Sequence, residues 1–383
     1  RSVSQGVVAK CCFLRPLASD LTNPLKDILA DLQLFQQTNY CYDYIKNKYP
    51  DDDETKILYS SEVASACFRQ ANEFIISAQN ANLSTNPLLY SYALNNFAKG
   101  MAYLLYLDEE MLKYFKDHGF YISDDNIKDN ILETNITIKQ SGVPTFILKL
   151  FNNVVFKKQE ISFELLLSQI PEISDIFNKT TLKMSNTAKQ IPNTKNEFQM
   201  FCDNFDFIRE REDIFNEYGI IGNYNSNNQS FDFCFNMIGQ TKIENVVIKN
   251  NLFYKEYLIL PNKFIDGICS INLMFYCYLL IMSYGMLVRY NAHKWENFID
   301  PKISKESTLI AMSVDVCVND FLTLLHQKLL GYTYIEDKYD DYNVKKVIRD
   351  STPQIMNNIT SEIVHYNLQY GKHYPLPWPK KMR

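Results

Sequence analysis

Ile271-Asn272-Leu273-Met274-Phe275-Tyr276-Cys277-Tyr278-Leu279-Leu280-Ile281-Met282-Ser283-Tyr284-Gly285-Met286-Leu287-Val288-Arg289-Tyr290 is the most apolar stretch of the chain. It approaches the length of a bilayer span. Asn272, Ser283, Gly285 and the aromatic residues with polar tips fit lipid poorly. A helix covered on all sides by protein has the same look. The stretch is therefore expected to be a buried core helix, which requires other helices to surround it.

Such helices are readable on both sides. In Ser61 to Leu83, the residues Val63, Cys67, Ala71, Phe74, Ile75 and Ala78 fall on one stripe, as do Leu89, Ala93, Phe97, Met101 and Leu104 in Pro87 to Leu107. Pro87 suits a first turn, with Asn86 as its expected N-cap. The short connection predicts an antiparallel pair. Leu25, Ile28, Leu29, Leu32 and Phe35 define a helical face in residues 22 to 49, stopped by Pro50. A short helix around Glu109 to Lys116 is expected to end on His118-Gly119. Others are expected at Thr145 to Phe151, at Ser162 to Ile170 and at Leu309 to Leu330, the last followed by Gly331.

Between these lies different material. Ile136-Thr137-Ile138 alternates like a short strand. Residues 178 to 228 are polar and Asn-rich and read as loop. Phe231, Phe233 and Phe235 alternate with polar residues, and Val246-Val247-Ile248 and Tyr257 to Leu260 flank the polar Lys249-Asn250-Asn251, so a small antiparallel meander is expected around 231–260. The fold class is mostly α (α+β). The expected division is a helical extension at 1–55, a helical region at 56–177, a polar loop and β region at 178–262, a second helical region at 263–335, and a tail at 336–383. Pro375 to Lys381 in that tail cannot propagate a helix.

The 383 residues are 46% hydrophobic and 22% charged, an ordinary globular balance. Net charge of -5 opposes tight, sequence-independent nucleic-acid binding and a reader of the DNA groove, which would carry a basic face, and leaves only a local basic patch for such contacts. Twenty-six Tyr and 25 Phe mostly fill cores, with base stacking as the rarer use. The nine cysteines are odd in number and form no CxxC pair, which fits free thiols in a reducing cytoplasm better than disulfides or zinc. Residue 1 is Arg, and Val7-Val8-Ala9 is too short for the apolar region of a signal peptide. No HExxH, Walker A, GxGxxG or GxSxG motif occurs, so the chemistries that need them have no local support. No cofactor, metal or membrane partner is expected.

Several segments in fixed order resemble the YaaC-like family. They are the Pro-led helix Asn86 to Lys99, His118-Gly119, Ser141-Gly142-Val143, Glu164-Leu165-Leu166 with Ile170-Pro171-Glu172, Leu258-Ile259-Leu260-Pro261, and Gly285 to Tyr290 with Trp295. The likeness spans roughly residues 60 to 335. One departure is Asn291-Ala292-His293, where the family usually places Pro. The helical pair before His-Gly is also similar to HEPN-type domains, some of them ribonucleases and some inert binding modules of bacterial defence systems.

That resemblance implies a binding or interaction component of a bacterial stress or antiphage-defence system, recognising a nucleotide, RNA or a protein without catalysis of its own. Its partner would be a second copy or a protein encoded nearby. The alternative it implies is a metal-independent endoribonuclease. HEPN ribonucleases separate an Arg that stabilises phosphate charge from a proton-handling His by roughly four to six residues. Here Arg289 and His293 enclose three, a separation that still shares a face on an unbroken helix. His118 is the other candidate imidazole. Tyr92, Asn96, Lys99, Tyr290 and Trp295 complete the candidate ligand-binding set.

Overall fold

The computed structural model describes residues 13–16, 24–107, 109–152, 158–191, 197–202, 205–235, 248–250, 256–260 and 271–335. Strand β1 (Phe13–Pro16) precedes four helices, α1 (Pro24–Gln33), α2 (Thr38–Lys48), α3 (Glu54–Gln79) and α4 (Asn86–Leu105). After α5 (Glu109–Leu112) come β2 (Phe120–Tyr121), β3 (Asn135–Ile138), α6 (Val143–Asn152), β4 (Gln159–Ser162), α7 (Phe163–Ser168) and α8 (Ser174–Thr181). A β-rich segment follows: β5 (Thr187–Gln190), β6 (Glu197–Phe201), α9 (Asp206–Arg209), α10 (Glu212–Glu217), β7 (Ile220–Asn225), β8 (Ser230–Phe235), β9 (Ile248–Asn250) and β10 (Glu256–Ile259). The last described elements are α11 (Leu273–Tyr290), α12 (Ala292–Ile299), α13 (Ser307–Leu330) and β11 (Tyr332–Ile335), which pairs in parallel with β1. The fold is mostly α, with two antiparallel sheets besides the parallel β1–β11 pair.

Helix α11 is the apolar stretch, and it occupies the middle. Leu273 through Gly285 and Leu287 are all buried. Helices α4, α13, α6, α7 and α12 pack around it. Its polar atoms find protein partners: the Tyr278 hydroxyl donates to Asn95 Oδ1 at 3.1 Å, and the Tyr284 and Ser313 hydroxyls share a 3.0 Å hydrogen bond. Burial pushes both phenols well above their usual range. Tyr284 lies between Phe163 and Trp295, with ring centroids at 5.5 and 5.2 Å. Two described helices, α11 and α13, are long and apolar enough to cross a membrane, but 78% and 61% of their apolar windows are buried within the protein.

Helix α4 makes this packing possible by being thin. A Cβ added at Gly100 would lie 2.7 Å from the Phe68 ring of α3, and one added at Gly285 would lie 2.5 Å from Ser91 Oγ of α4. Backbones can approach so closely only where side chains are this small.

The sequence expectations fail in several places, each for a local reason. Residues 34–36 form a 3₁₀ turn that separates α1 from α2; Arg69 donates to the Gln36 carbonyl at 2.6 Å and Cys41 Sγ to the Phe35 carbonyl at 3.0 Å. Helix α3 starts at Glu54 rather than Ser61, because Asp53, the last Asp of the run Asp51-Asp52-Asp53, caps it by accepting from the Thr55 N–H. Asn86 is not the cap of α4 but its first residue, and Thr85 occupies the cap position without a side-chain hydrogen bond. The 3₁₀ turn after α5 ends at Lys116 with Asp117 extended, so the left-handed Gly119 (φ 79°) is not its C-terminal residue. It serves a turn whose backbone touches that of Gly142: a Cβ on Gly142 would lie 2.1 Å from the Gly119 Cα.

The largest departure is residues 178 to 228, which are not loop. They supply three strands and two short helices of a six-stranded antiparallel sheet, ordered β7-β8-β6-β5-β10-β9. Phe198 and Met200 point into a small core with Phe207, Phe215, Phe231 and Phe233, while Glu197, Gln199 and Phe201 face outward. The expected loop at Gly222 to Asn228 is a hairpin, with Gly222 inside β7. Lys249 and Asn250 sit in β9 rather than in a turn. Val246, Val247, Pro261, Cys269, the Asp337 to Asp341 run and the Pro375 to Lys381 tail lie outside the described residues.

A buried amide ties the sheet to the helices. Asn186 donates to Gln169 Oε1 at 2.9 Å and to the Leu260 carbonyl at 2.7 Å, and its backbone N–H reaches the Ser168 carbonyl. All of these groups are buried. Removing one donor strands buried acceptors, at about 1–3 kcal/mol each. Asn186→Ala is expected to lower the urea midpoint by a corresponding amount, whereas Gln199→Ala on the exposed sheet face leaves it within about 0.5 kcal/mol of the parent.

Candidate functional site

Tyr92, Asn96, Lys99 and Tyr103 are spaced four, three and four residues apart on α4, so they share one face. All four are half-buried. The ridge spans about 16 Å of helix axis at 1.5 Å per residue. Neighbouring helices extend it with rings and charge. The Tyr103 ring meets exposed Tyr59 of α3 at 6.3 Å, and Tyr92 meets Phe74 of α3 at 5.3 Å. Arg289, in the last turn of α11, donates from Nη1 to the Tyr92 hydroxyl at 3.2 Å. Its guanidinium carbon lies 5.0 Å from the centroid of Tyr290, itself 63% exposed.

Neither α4 nor α11 contains a carboxylate, and Lys99 and Arg289 are their cations. In a chain of net charge -5 these two helices thus contribute cations alone, while α3 beside them carries the exposed Glu62 and Glu73. Arg289 also benefits from the negative end of the α11 dipole. A cleft of about 240 Å³ adjoins Tyr290, lined by Ile122, Asp124, Met286, Leu287 and Asn291.

Of the residues singled out in the sequence, Tyr92, Arg289 and Tyr290 come together, with Asn96 donating from Nδ2 to the Tyr92 carbonyl. Lys99 lies further along the same face. His293 does not share a helix with Arg289. Asn291 (φ -134°, ψ 46°) ends α11, and His293 is exposed on α12. The break is held from outside: Asn291 Nδ2 donates to Asp124 at 3.4 Å, and Lys294 pairs with Asp129 at 2.7 Å. Arg289 and His293 therefore share no helical face. Trp295 is 1% exposed and its indole N–H donates to the Leu83 carbonyl, so it is part of the core rather than of a surface.

His118 is exposed in a turn whose purpose is visible in its neighbours. Asp117 accepts from the Gly119 N–H, from Lys139 at 3.2 Å and from Ser141 at 3.4 Å, tying together the His-Gly and Ser-Gly turns. Desolvation pushes the Asp117 carboxyl up, but these three donors outweigh it and hold it below the usual range. Phe74, on the expected core stripe of α3, is only half-buried, and Tyr59 and Tyr103 join the ridge although they belong to neither expected stripe. The four-residue step from Lys99 to Tyr103 was the available signal.

Among the described residues, no three His, Cys, Asp or Glu side chains converge to hold a metal ion. Cys41, Cys67, Cys202, Cys277 and Cys317 are buried free thiols, and Cys234 is a partly buried one. Burial pushes Cys41 up to about 12, which leaves it inert as a nucleophile.

These features define a mostly helical α+β protein with an aromatic, cation-bearing ridge at the outer edge of its central helices. The family model for the YaaC-like Protein matches residues 33–329, so the chain belongs to that family. Neither the comparison with curated proteins nor that with solved structures found a significant match.

The Asp117 clamp gives a pH test. An unfolded-chain Asp titrates near about 3.9 and the folded group lower, so its stabilisation is complete above that value and is lost as pH falls through the folded pKa. Asp117→Asn is expected to lower the urea midpoint at pH 7, and the gap from the parent to close as pH falls below the unfolded value and through the lower folded one. A gap that stays constant through that fall would remove the ionised carboxylate from the account.

Proposed function

We propose that this YaaC-like protein is a binding component without turnover of its own, acting in the bacterial cytoplasm in stress or antiphage defence, and that it recognises single-stranded RNA or its nucleotides. The observation that carries this reading is the face formed by α4 and the end of α11, two helices without carboxylates, on which Tyr92, Tyr103 and Tyr290 lie among Lys99 and Arg289. Aromatic rings stack on bases of any sequence, and cations spaced between them meet the phosphates. Arg289 is well suited to both tasks, since its planar guanidinium pairs with phosphate and stacks on rings. The modest local charge predicts a shallow salt dependence, with two phosphates neutralised rather than many. The free thiols of the described cysteines agree with a reducing compartment.

The test is fluorescence anisotropy with an unstructured RNA of about 12 nucleotides. Tyr290→Ala and Arg289→Ala are each expected to weaken binding by about tenfold or more, the scale of a lost stacking contact. Lys99→Ala lowers the salt slope by about one phosphate's worth. Binding that is absent, or indifferent to all three changes, would overturn the proposal. RNA cleavage that persists in EDTA and disappears with Arg289→Ala would put a metal-independent ribonuclease in its place.

A further inference from the structure

The six-stranded sheet ends differently on its two sides. On one side β9 is three residues long and carries Lys249 at its centre. A short, charged strand at a sheet edge discourages further pairing. On the other side stands β7, Ile220-Ile221-Gly222-Asn223-Tyr224-Asn225, which has neither charge nor proline. It runs along β8 in six consecutive pairs without a bulge, so none of the usual devices blunts it.

The pattern of exposure marks the same edge. Ile220 is buried, but Ile221, Gly222 and Asn223 are exposed in succession. Side chains alternate between the two faces of a strand, so an unbroken run of three reports an open edge as well as an open face. Ile221 is 58% exposed, an aliphatic group where an edge strand commonly carries charge. Phe205, also largely exposed, meets the Tyr224 ring at 6.4 Å and adds a second apolar group beside the strand.

Charge and symmetry select the occupant. A charged segment finds no counter-charge on β7, whereas a neutral strand loses nothing by lying there. An antiparallel edge turned by half a revolution about an axis normal to the sheet meets its own complement of N–H and C=O groups. That is the isologous contact of a two-fold dimer, the commonest form of homo-oligomer. With the axis at the centre of the exposed trio, Gly222 meets Gly222, and Ile221 of each copy lies opposite Asn223 of the other. The first carboxylate inward from the edge is Asp232, opposite Asn223 on β8 and held by Gln199 Nε2 at 2.7 Å. Two copies of Asp232 would stand at least three strand spacings apart, about 14 Å. This exceeds the Debye length of about 8 Å at physiological ionic strength, so these like charges oppose the contact only weakly.

We propose that β7 is the edge through which two copies of this chain join, antiparallel, into one continuous sheet. The backbone ladder supplies direction, and Ile221 and Phe205 supply apolar surface to cover. Pairing of one short strand buries less than the about 1,200–2,000 Å² of a stable complex, so the dimer is reversible and depends on concentration. The ridge on α4 and α11 has no residue in this sheet, and the dimer does not rest on RNA binding.

The experiment is sedimentation velocity on the full chain over a range of about 1 to 200 μM, the span in which a micromolar association is resolved. The parent is expected to shift from monomer towards dimer across that range. Asn223→Lys and Asn223→Glu, both at an exposed position, are each expected to weaken dimerisation about tenfold or more, since like charges then face each other across the joint. An equimolar mixture of the two is expected to restore the dimer, because Lys of one copy then lies near Glu of the other. Ile221→Lys blunts the same edge and decides the matter if the substitutions at 223 do not fold. A parent that stays monomeric throughout would overturn the assignment and leave the edge to a strand of another protein. A dimer indifferent to every folded variant, or a Lys/Glu mixture that stays monomeric, would overturn it as well.

Discussion

The close approach of α11 to α4 at Gly285 and Ser91 is the constraint on which the rest of the architecture depends. With no side chain at Gly285, the two backbones come near enough for thirteen consecutive residues, Leu273 to Gly285, to be buried. Fully burying a Leu, Ile, Phe or Met contributes about 1.5–3 kcal/mol, so this helix is a principal source of cohesion. Its phenols would be costly in that interior without partners. Asn95 and Ser313, from the two flanking helices, supply them.

The same approach shapes the outer surface. Because α4 is wedged between α3 and α11, only one narrow face of it emerges, and that face holds Tyr92, Asn96, Lys99 and Tyr103. Helix α11 surfaces only in its last turns, which places Arg289 beside Tyr92 and Tyr290 at the edge of the ridge. The candidate site is thus a consequence of core packing rather than an addition to it. A second tie closes the bundle elsewhere: fully buried His326 of α13 meets Asp31 of α1 at 2.9 Å.

Much of the helical architecture was legible because long apolar periodicities leave few alternatives. The run from 271 to 290, the stripes of α3 and α4, and Gly331 in a left-handed conformation after α13 all match their sequence patterns. The sheet was not legible before Phe231. In β6 the alternation of Phe198 and Met200 with Glu197 and Gln199 was present, but it lasts five residues inside a polar, Asn-rich context. Gly222 reads as a loop residue, yet it lies in a strand at a position that excludes a side chain, since a Cβ there would stand 2.4 Å from the Asp232 carbonyl oxygen of the adjacent strand. At the site, Arg289, Tyr290 and Tyr92 were readable as neighbours in kind. The helix break at Asn291 was not, since Asn-Ala-His can continue a helix and the break is held by Asp124 and Asp129, more than 160 residues away in sequence. Trp295 and the His-Gly turn likewise take their meaning from distant partners, the Leu83 carbonyl and the Ser141-Gly142 backbone.

The most direct test of the central packing claim is a double-mutant cycle at Gly285 and Ser91, measured by urea unfolding. Gly285→Ala alone should cost about 1–3 kcal/mol through overpacking. In a Ser91→Gly background most of that cost should vanish, giving a coupling of about 1 kcal/mol or more. A Gly285→Ala change that is neutral, or whose cost simply adds to that of Ser91→Gly, would contradict the account.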